Sequence, residues 1–343
     1  MFSKKKGKIK NIIFSRAFCC IGIVIFHYFC HSKGNFKFLY TTSNSNFGFM
    51  FVTSFFCISG FVLYYNYPKI LSIKRFYYKR WKSILIPYYI CYIYFFFRES
   101  FCRKKLIFSE NRKMYIINIF GLDGYLRYRF KTFYLVGEWF LGAIIILYIM
   151  FPLLLLIINK SNIIINNIFF CSLYFLMYKK KNFFIIHPRR NIITCLFSFY
   201  FGIESFKYKN FFLINKKSFL ISFLMLFLLC TVRINIKYCL LIHQIQGFCL
   251  FIVLYKVGYY AMNSKINLIF DKISNLSYFI FLIHHKIIIY ILSIYNPEQW
   301  YAHILLIIFS ITLIIISSNI HLIVINSLFK SYLFKKIDSL FNI

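Results

Sequence analysis

The stretch SRAFCCIGIVIFHYFCH, residues 15–31, decides the fold, because it is apolar almost throughout and long enough to cross a lipid bilayer. It nevertheless holds Arg16 near its start and His27 well inside it. Ionisable side chains are costly inside a membrane span, and they usually face the interior of a helix bundle or a water-filled cavity. The stretch therefore predicts a membrane helix with a buried polar face.

Similar apolar runs recur along the whole chain, which has 343 residues and is 61% hydrophobic. This pattern predicts an all-α, polytopic helical membrane protein with about ten transmembrane helices and both ends on one side. The predicted spans are 13–31, 46–66, 83–98, 134–158, 163–178, 191–206, 211–232, 238–256, 273–293 and 302–325. We expect one membrane domain over residues 1–329 and a short basic cytoplasmic tail over 330–343, either an amphipathic interfacial helix or a frayed end.

The net charge of +34 does not indicate a nucleic-acid partner, because Lys and Arg lie in short stretches between apolar runs. Such loops suit anionic lipid headgroups. The basic start, MFSKKKGKIK, is followed by no small-residue cleavage site, so we expect an uncleaved first span. Together with the basic 67–82 loop it places the N-terminus in the cytoplasm of a plasma (inner) membrane protein, although the basic 99–133 segment conflicts with that orientation.

Arg16 and His27 lie eleven residues apart, which brings them to within about 20° of each other around a helix and separates them by roughly 16 Å along it. Two interpretations remain open from the spacing. One is an interfacial arginine and a histidine bonded to a neighbouring helix, and the other is a functional pair.

Metal binding is not expected. His31 follows His27 at a spacing that suits a metal ion, but no carboxylate lies close in sequence to complete a site. The 11 cysteines are scattered without a CxxC pair, so they indicate buried apolar residues rather than a zinc site or disulfides.

Two further segments carry candidate ligand-binding residues. Ser59 and Gly60 allow close approach, either of a neighbouring helix or of a ligand. In KRFYYKRWKSILIPYY, Arg75 and Arg80 either contact lipid headgroups or bind the phosphates of a cytoplasmic anion.

A carboxylate and a histidine stand at the margins of later spans. Glu138 begins a long apolar run, either as an acid favoured by the helix dipole or as a partner of Arg16 or His27. Ser277 and His284 lie seven residues apart, nearly on one helical face, where His284 is either a core histidine or lines a cavity.

The order of these motifs resembles the acyltransferase-3 family of integral-membrane O-acyltransferases, which modify cell-surface carbohydrate. The motifs are Arg-x10-His, FF-x-x-SGF, the basic KRF…KR…P stretch, EWFLGA…LY…FPLL, F-x-F-G-I and S-Y-x-x-F-L-x-H, and they run from about Arg16 to His284. The resemblance implies transfer of an acyl group, commonly acetyl, from cytoplasmic acyl-CoA to a glycan hydroxyl on the outer side. It implies acyl-CoA as donor substrate and no bound cofactor.

The resemblance also implies roles for particular residues. His27 matches the family's essential histidine and acts as general base on the acceptor hydroxyl, or carries the acyl group transiently. Arg16 matches the first-helix arginine and binds donor phosphates or fixes His27, while Glu138 orients the imidazole. The other expected positions are Arg75 and Arg80 for the donor, and Ser59, Gly60, Trp139, Tyr278 and His284 for the pocket lining. The 75–82 stretch departs from the family's paired-arginine motif, because Trp81, Lys82 and Ser83 follow Arg80.

Other interpretations compete with this one. A carrier or flippase for lipid-linked glycans would share the buried polar groups, although transporters often show inverted repeats with broken helices that this sequence lacks. A membrane scaffold without chemistry would have little use for the Arg16–His27–Glu138 set. The acyl group, the acceptor glycan and a homo-oligomeric state stay open.

Overall fold

Thirteen α-helices make up most of the described chain. The computed structural model describes residues 9–33, 46–102, 104, 112–132, 134–180, 182, 184–232, 239–262 and 267–341. The helices are α1 (Lys10–His31), α2 (Phe47–Asn66), α3 (Ile73–Cys102), α4 (Tyr115–Ile119), α5 (Asp123–Leu126), α6 (Trp139–Lys160), α7 (Ile163–Lys179), α8 (Ile192–Lys207), α9 (Lys216–Thr231), α10 (Cys239–Ala261), α11 (Asn267–Ile294), α12 (Trp300–Lys330) and α13 (Tyr332–Leu340).

The all-helical membrane fold is confirmed. By length and composition, six of the described helices can cross a membrane, namely α1, α2, α6, α10, α11 and α12, and α7 is a shorter apolar helix. Each of the ten predicted spans overlaps one of these seven helices or α3, α8 or α9. Apolar side chains along α12 lie exposed, such as Leu305 at 68% and Ile323 at 60%, as expected of a lipid-facing surface.

Asparagine side chains begin several of these helices. Asn46, Asn162, Asn191 and Asn215 precede α2, α7, α8 and α9, and each side chain accepts a hydrogen bond from a backbone N–H of the first turn. Those N–H groups have no partner within the helix, so an asparagine at this position stabilises the helix start. The local sequence therefore sets where these spans begin.

Several predicted boundaries were wrong by five residues or more, and two of them bear on the polar residues discussed above. The third helix begins at Ile73 rather than 83, because the basic stretch that we took for a loop continues the helix. The fourth predicted span begins at Trp139 rather than 134. Gly137 has φ +74°, a left-handed conformation that an α-helix cannot include, and Glu138 stands just before α6 with a non-helical φ of −50° and ψ of 171°.

The core is built around α1 and α2. α1 packs against α2, α10 and α11, while α2 packs closely along α8. A Cβ added to Gly60 would lie 2.0 Å from the carbonyl oxygen of Phe199, and one added to Gly202 would lie 1.9 Å from that of Cys57. The two glycines therefore allow the backbones of α2 and α8 to touch, as small residues do in membrane bundles.

The C-terminal segment ends in a helix that docks on α3. Lys82 Nζ lies 2.6 Å from Asp338 Oδ2, the Tyr78 hydroxyl donates to Asp338 Oδ1 at 2.8 Å, and the Tyr78 and Phe341 rings stack at 4.0 Å. Burial opposes ionisation of Asp338, but these two hydrogen bonds outweigh it and lower its pKa. The described tail residues therefore form α13 rather than a frayed end.

Candidate active site

A cavity of about 360 Å³ lies between α1, α2, α3, α6 and α11. Such a volume falls within the range of small-molecule sites. The polar residues that line it are Arg16, His27, Ser59, Arg80, Ser83, Glu138, Tyr148, Ser277, Tyr278 and His284, and the aromatic ones include Phe55, Trp139, Phe140 and Phe281.

The cavity is elongated along the helices and has two chemically different ends. Arg16 and Arg80 line what we call the arginine end. His27, Glu138, Trp139 and His284 line what we call the histidine end. Because Arg16 and His27 share one straight helix, the two ends lie roughly 16 Å apart. The ten residues of α6 from Glu138 to Tyr148 give a similar separation of about 15 Å.

The arginine end carries positive charge that no described carboxylate neutralises. Arg16 is half-buried, and no acidic side chain of the described residues pairs with it. Arg80 contacts the Tyr67 hydroxyl at 3.4 Å and lies over the rings of Tyr67 and Tyr148, at 5.4 and 5.9 Å from their centres. Its buried Nε has no hydrogen-bond partner among these residues. Two such guanidinium groups favour an anionic ligand, since a charge inside a bundle is costly without a counter-ion.

The histidine end gathers imidazoles from two helices that are far apart in sequence. The His27 ring lies 5.3 Å from the ring of His284 and 4.0 Å from that of His285. His284 Nδ1 donates to the carbonyls of Ile280 and Phe281, at 3.0 and 2.9 Å, and so its Nε2 keeps a lone pair. That Nε2 is buried without a partner among the described residues, as expected of a group that faces the cavity.

Glu138 contacts a different histidine from the one expected. Its Oε1 lies 3.2 Å from His285 Nε2, without hydrogen-bond alignment, and accepts a hydrogen bond from the Tyr134 hydroxyl at 2.8 Å. The anticipated partners were Arg16 and His27. Arg16 lies at the other end of the cavity, and His285 stands between Glu138 and His27. Glu138 therefore lies next to His285, which in turn contacts His27.

A second carboxylate, that of Asp123, lies beside the segment that carries Glu138. Asp123 is fully buried and accepts a hydrogen bond from the Tyr88 hydroxyl at 2.8 Å. Its neighbour Gly124 packs on the backbone of Gly137 and Glu138. Burial raises the pKa of Asp123 to about 7, although the hydrogen bonds from Tyr88 and from backbone N–H groups oppose that rise. The 99–133 connection thus carries short helices that hold the Glu138 segment in place.

Most of the predicted positions come together in this cavity, and two do not. Arg75 lies outside the lining, because five residues along α3 rotate it by about 140° from Arg80. Gly60 also lies outside it, because its face of α2 packs on α8, whereas Ser59 lines the cavity. Of the two arginines expected on α3, only Arg80 lines the cavity, and Arg16 of α1 lines it as well.

The structure adds residues that the sequence did not single out. Tyr148 and Ser83 line the arginine end. Tyr148 is the tyrosine of the EWFLGA…LY…FPLL motif and Ser83 follows the basic stretch, but the sequence alone did not assign either side chain to a site. Arg190, just before α8, is a third, and its guanidinium lies over the Trp139 ring at 5.7 Å from the ring centre.

The fold and the cavity define a multi-pass helical membrane protein with an internal polar site that runs from unpaired arginines to clustered histidines. Residues 9–319 match the acyltransferase-3 family, which is described as an acyltransferase domain, and the chain belongs to that family. No curated protein and no solved structure matches this chain. The protein is thus a membrane acyltransferase by family and by fold.

Proposed function

We propose that this protein moves an acyl group, most simply acetyl, from acyl-CoA to a hydroxyl of a cell-surface polysaccharide or glycolipid. The donor enters at the arginine end, on the cytoplasmic side of the plasma (inner) membrane with the N-terminus. The acceptor enters at the histidine end, on the outer side. The observation that carries this proposal is a single cavity with unneutralised arginines at one end and imidazole lone pairs at the other.

The arginine end suits the donor. A CoA nucleotide is highly anionic, and guanidinium groups bind phosphates through paired, charge-assisted hydrogen bonds. Arg16 and Arg80 would hold the phosphates, and the extended pantetheine arm would lie along the apolar walls toward His27. This arrangement holds the acyl carbonyl beside the base, and such positioning is itself a large part of catalysis.

The histidine end suits proton transfer. No described residue hydrogen-bonds to the ring nitrogens of His27, so a lone pair is available to an acceptor hydroxyl. His27 removes the hydroxyl proton while the oxygen attacks the acyl carbon. The carbon–sulfur bond then breaks, and the CoA thiolate takes the proton from the imidazolium. His27 thus starts and ends neutral, as general acid–base catalysis requires.

The test is acyl-ester content of surface carbohydrate in cells that express wild type or His27→Ala at matched membrane levels. His321→Ala is the matched control, because His321 lies on α12 and donates to Ser317 at 2.8 Å. We expect added esters with wild type and the control, and none with His27→Ala. The contrary result is that wild type adds no esters in cells and that the purified protein does not turn over acetyl-CoA with any glycan acceptor. The enzyme proposal would then be wrong, and a glycan carrier would be the better account.

A further inference from the structure

We propose that His27, His31 and His285 form a binding site for a divalent late transition metal such as Zn²⁺. Their ligand nitrogens all lie within 4.8 Å of one another. Three imidazoles with an open fourth position are a donor set that Zn²⁺ takes readily. The sequence pattern missed this site, because the third ligand comes from α11, 254 residues away from His31.

One pair of nitrogens already lies near the spacing that a metal needs. His31 Nε2 and His285 Nδ1 lie 2.9 Å apart, where one ring donates to the other. Two nitrogens that bind one Zn²⁺ tetrahedrally at 2.0–2.1 Å lie roughly 3.3 Å apart. If the two nitrogens move apart by a few tenths of an ångström, a metal ion can therefore replace the proton that they share. The His27 ring lies 4.0 Å from that of His285 and 6.4 Å from that of His31, so His27 has to move further than the other two to bind the same ion.

Glu138 prepares His285 for this role. Metal-binding histidines commonly hold their second nitrogen against a carboxylate, which fixes the tautomer and makes the ligand nitrogen more basic. Here Glu138 Oε1 lies 3.2 Å from His285 Nε2, and Tyr134 donates to the same oxygen at 2.8 Å. The two atoms are not aligned for a hydrogen bond here, so the His285 ring must turn for Nε2 to donate to Oε1, which leaves the Nδ1 lone pair for the metal.

The cluster is also accessible. His31 is exposed at the end of α1, whereas His27 and His285 are half-buried. A metal ion can therefore arrive by way of His31 without passing through the packed core, and an entry path is one requirement of a real site.

Metal binding should also affect acyl transfer. This expectation, unlike the metal site itself, rests on the proposed function. A metal bound to His27 uses the lone pair that a general base needs. Zn²⁺ is therefore expected to inhibit acyl transfer, and His31→Ala should need at least tenfold more Zn²⁺ for the same fractional inhibition.

The test is metal binding to the full-length protein, purified in detergent through a tag without histidine and stripped with a chelator. We expect about one equivalent of Zn²⁺ by calorimetry, and Co²⁺ should give the visible absorption of a low-symmetry nitrogen site. His31→Ala and His31→Gln should each weaken binding at least tenfold. Glu138→Gln should weaken it by roughly 10–100-fold, as loss of such a supporting carboxylate does. His321→Ala, the control, should bind as wild type does.

Thermal unfolding of each variant shows that it is folded, and the exposed position of His31 makes its replacement mild. Wild-type affinity in both His31 variants would overturn the site, as would the absence of binding by folded wild type. Because binding is measured without donor or acceptor, metal binding by a protein that lacks acyl transfer would support the site and reject only the proposed function.

Discussion

The arginine end and the histidine end of the cavity differ in how their polar groups are satisfied. At the arginine end, Arg16 and Arg80 contact aromatic rings and a hydroxyl but no described carboxylate. At the histidine end, Glu138, Tyr134 and the imidazoles contact one another. One end therefore suits an anion, while the other is a cluster of polar groups with imidazole nitrogens left unbonded. A molecule with an anionic head and a reactive tail fits that difference.

The largest expected effect is on kcat and comes from a substitution at the histidine end. Replacement of His27 by Ala should lower kcat roughly 10²–10⁴-fold, because it removes general-base catalysis. Donor affinity should change little, since the arginine end is untouched. Steady-state kinetics with acetyl-CoA, beside direct donor binding, measure both quantities. A near wild-type kcat for His27→Ala would show that His27 is not the general base and that the two ends do not divide catalysis and donor binding as proposed.

The second prediction concerns Asp123, beside the histidine end, and the dependence of the protein's stability on pH. The pKa of Asp123 is about 7 in the folded protein, against 3.8 ordinarily, so the folded state keeps its proton while the unfolded chain loses it. Its ionisation therefore destabilises the fold increasingly from about pH 4 to about pH 7, by up to ~4 kcal/mol, and by a constant amount above that. Asp123→Asn should remove this slope.

Thermal unfolding in detergent between pH 4 and 8 measures the effect on stability. Wild type should lose stability relative to Asp123→Asn as the pH rises through this window. Parallel curves for the two proteins would show that Asp123 titrates normally in the fold.

The third prediction probes the arginine end. Arg16→Ala should raise the donor KM and Kd roughly 10–100-fold, or about 1.4–2.8 kcal/mol, with a smaller effect on kcat. Arg16→Lys should recover part of the loss, because it restores charge without the planar fork. Lys10→Ala is the control, since Lys10 is exposed at the start of the same helix. Unchanged donor affinity in Arg16→Ala would rule out the phosphate-binding role.

The smallest prediction contrasts neighbouring positions on α2. Gly60→Ala should destabilise the protein by about 1–3 kcal/mol, because its methyl group would meet the Phe199 carbonyl and force α2 away from α8. Ser59→Ala, which faces the cavity, should leave the unfolding temperature nearly unchanged. Equal unfolding temperatures for Gly60→Ala and Ser59→Ala would show that the α2–α8 contact adapts at little cost.

The sequence by itself determined the helical membrane fold, and it put Arg16 and His27 on one face of α1 at a fixed separation. Both follow from local rules, since apolar length predicts a span and helix periodicity places residues around it. The same rules located Glu138 at the start of α6 within a few residues. A resemblance carried by short motifs was enough to indicate the family, because the order of the motifs can be read from the sequence without knowledge of their contacts.

Only the tertiary structure decided which of these residues meet. It put Arg80 and Arg16 in one cavity and left Arg75 outside it, turned Gly60 toward α8, and put His285 in contact with both Glu138 and His27. Periodicity fixes a residue's angle on its own helix but not the neighbour that the angle faces. That choice depends on how helices pack, as where Gly60 and Gly202 let two backbones touch, and it joins residues hundreds of positions apart.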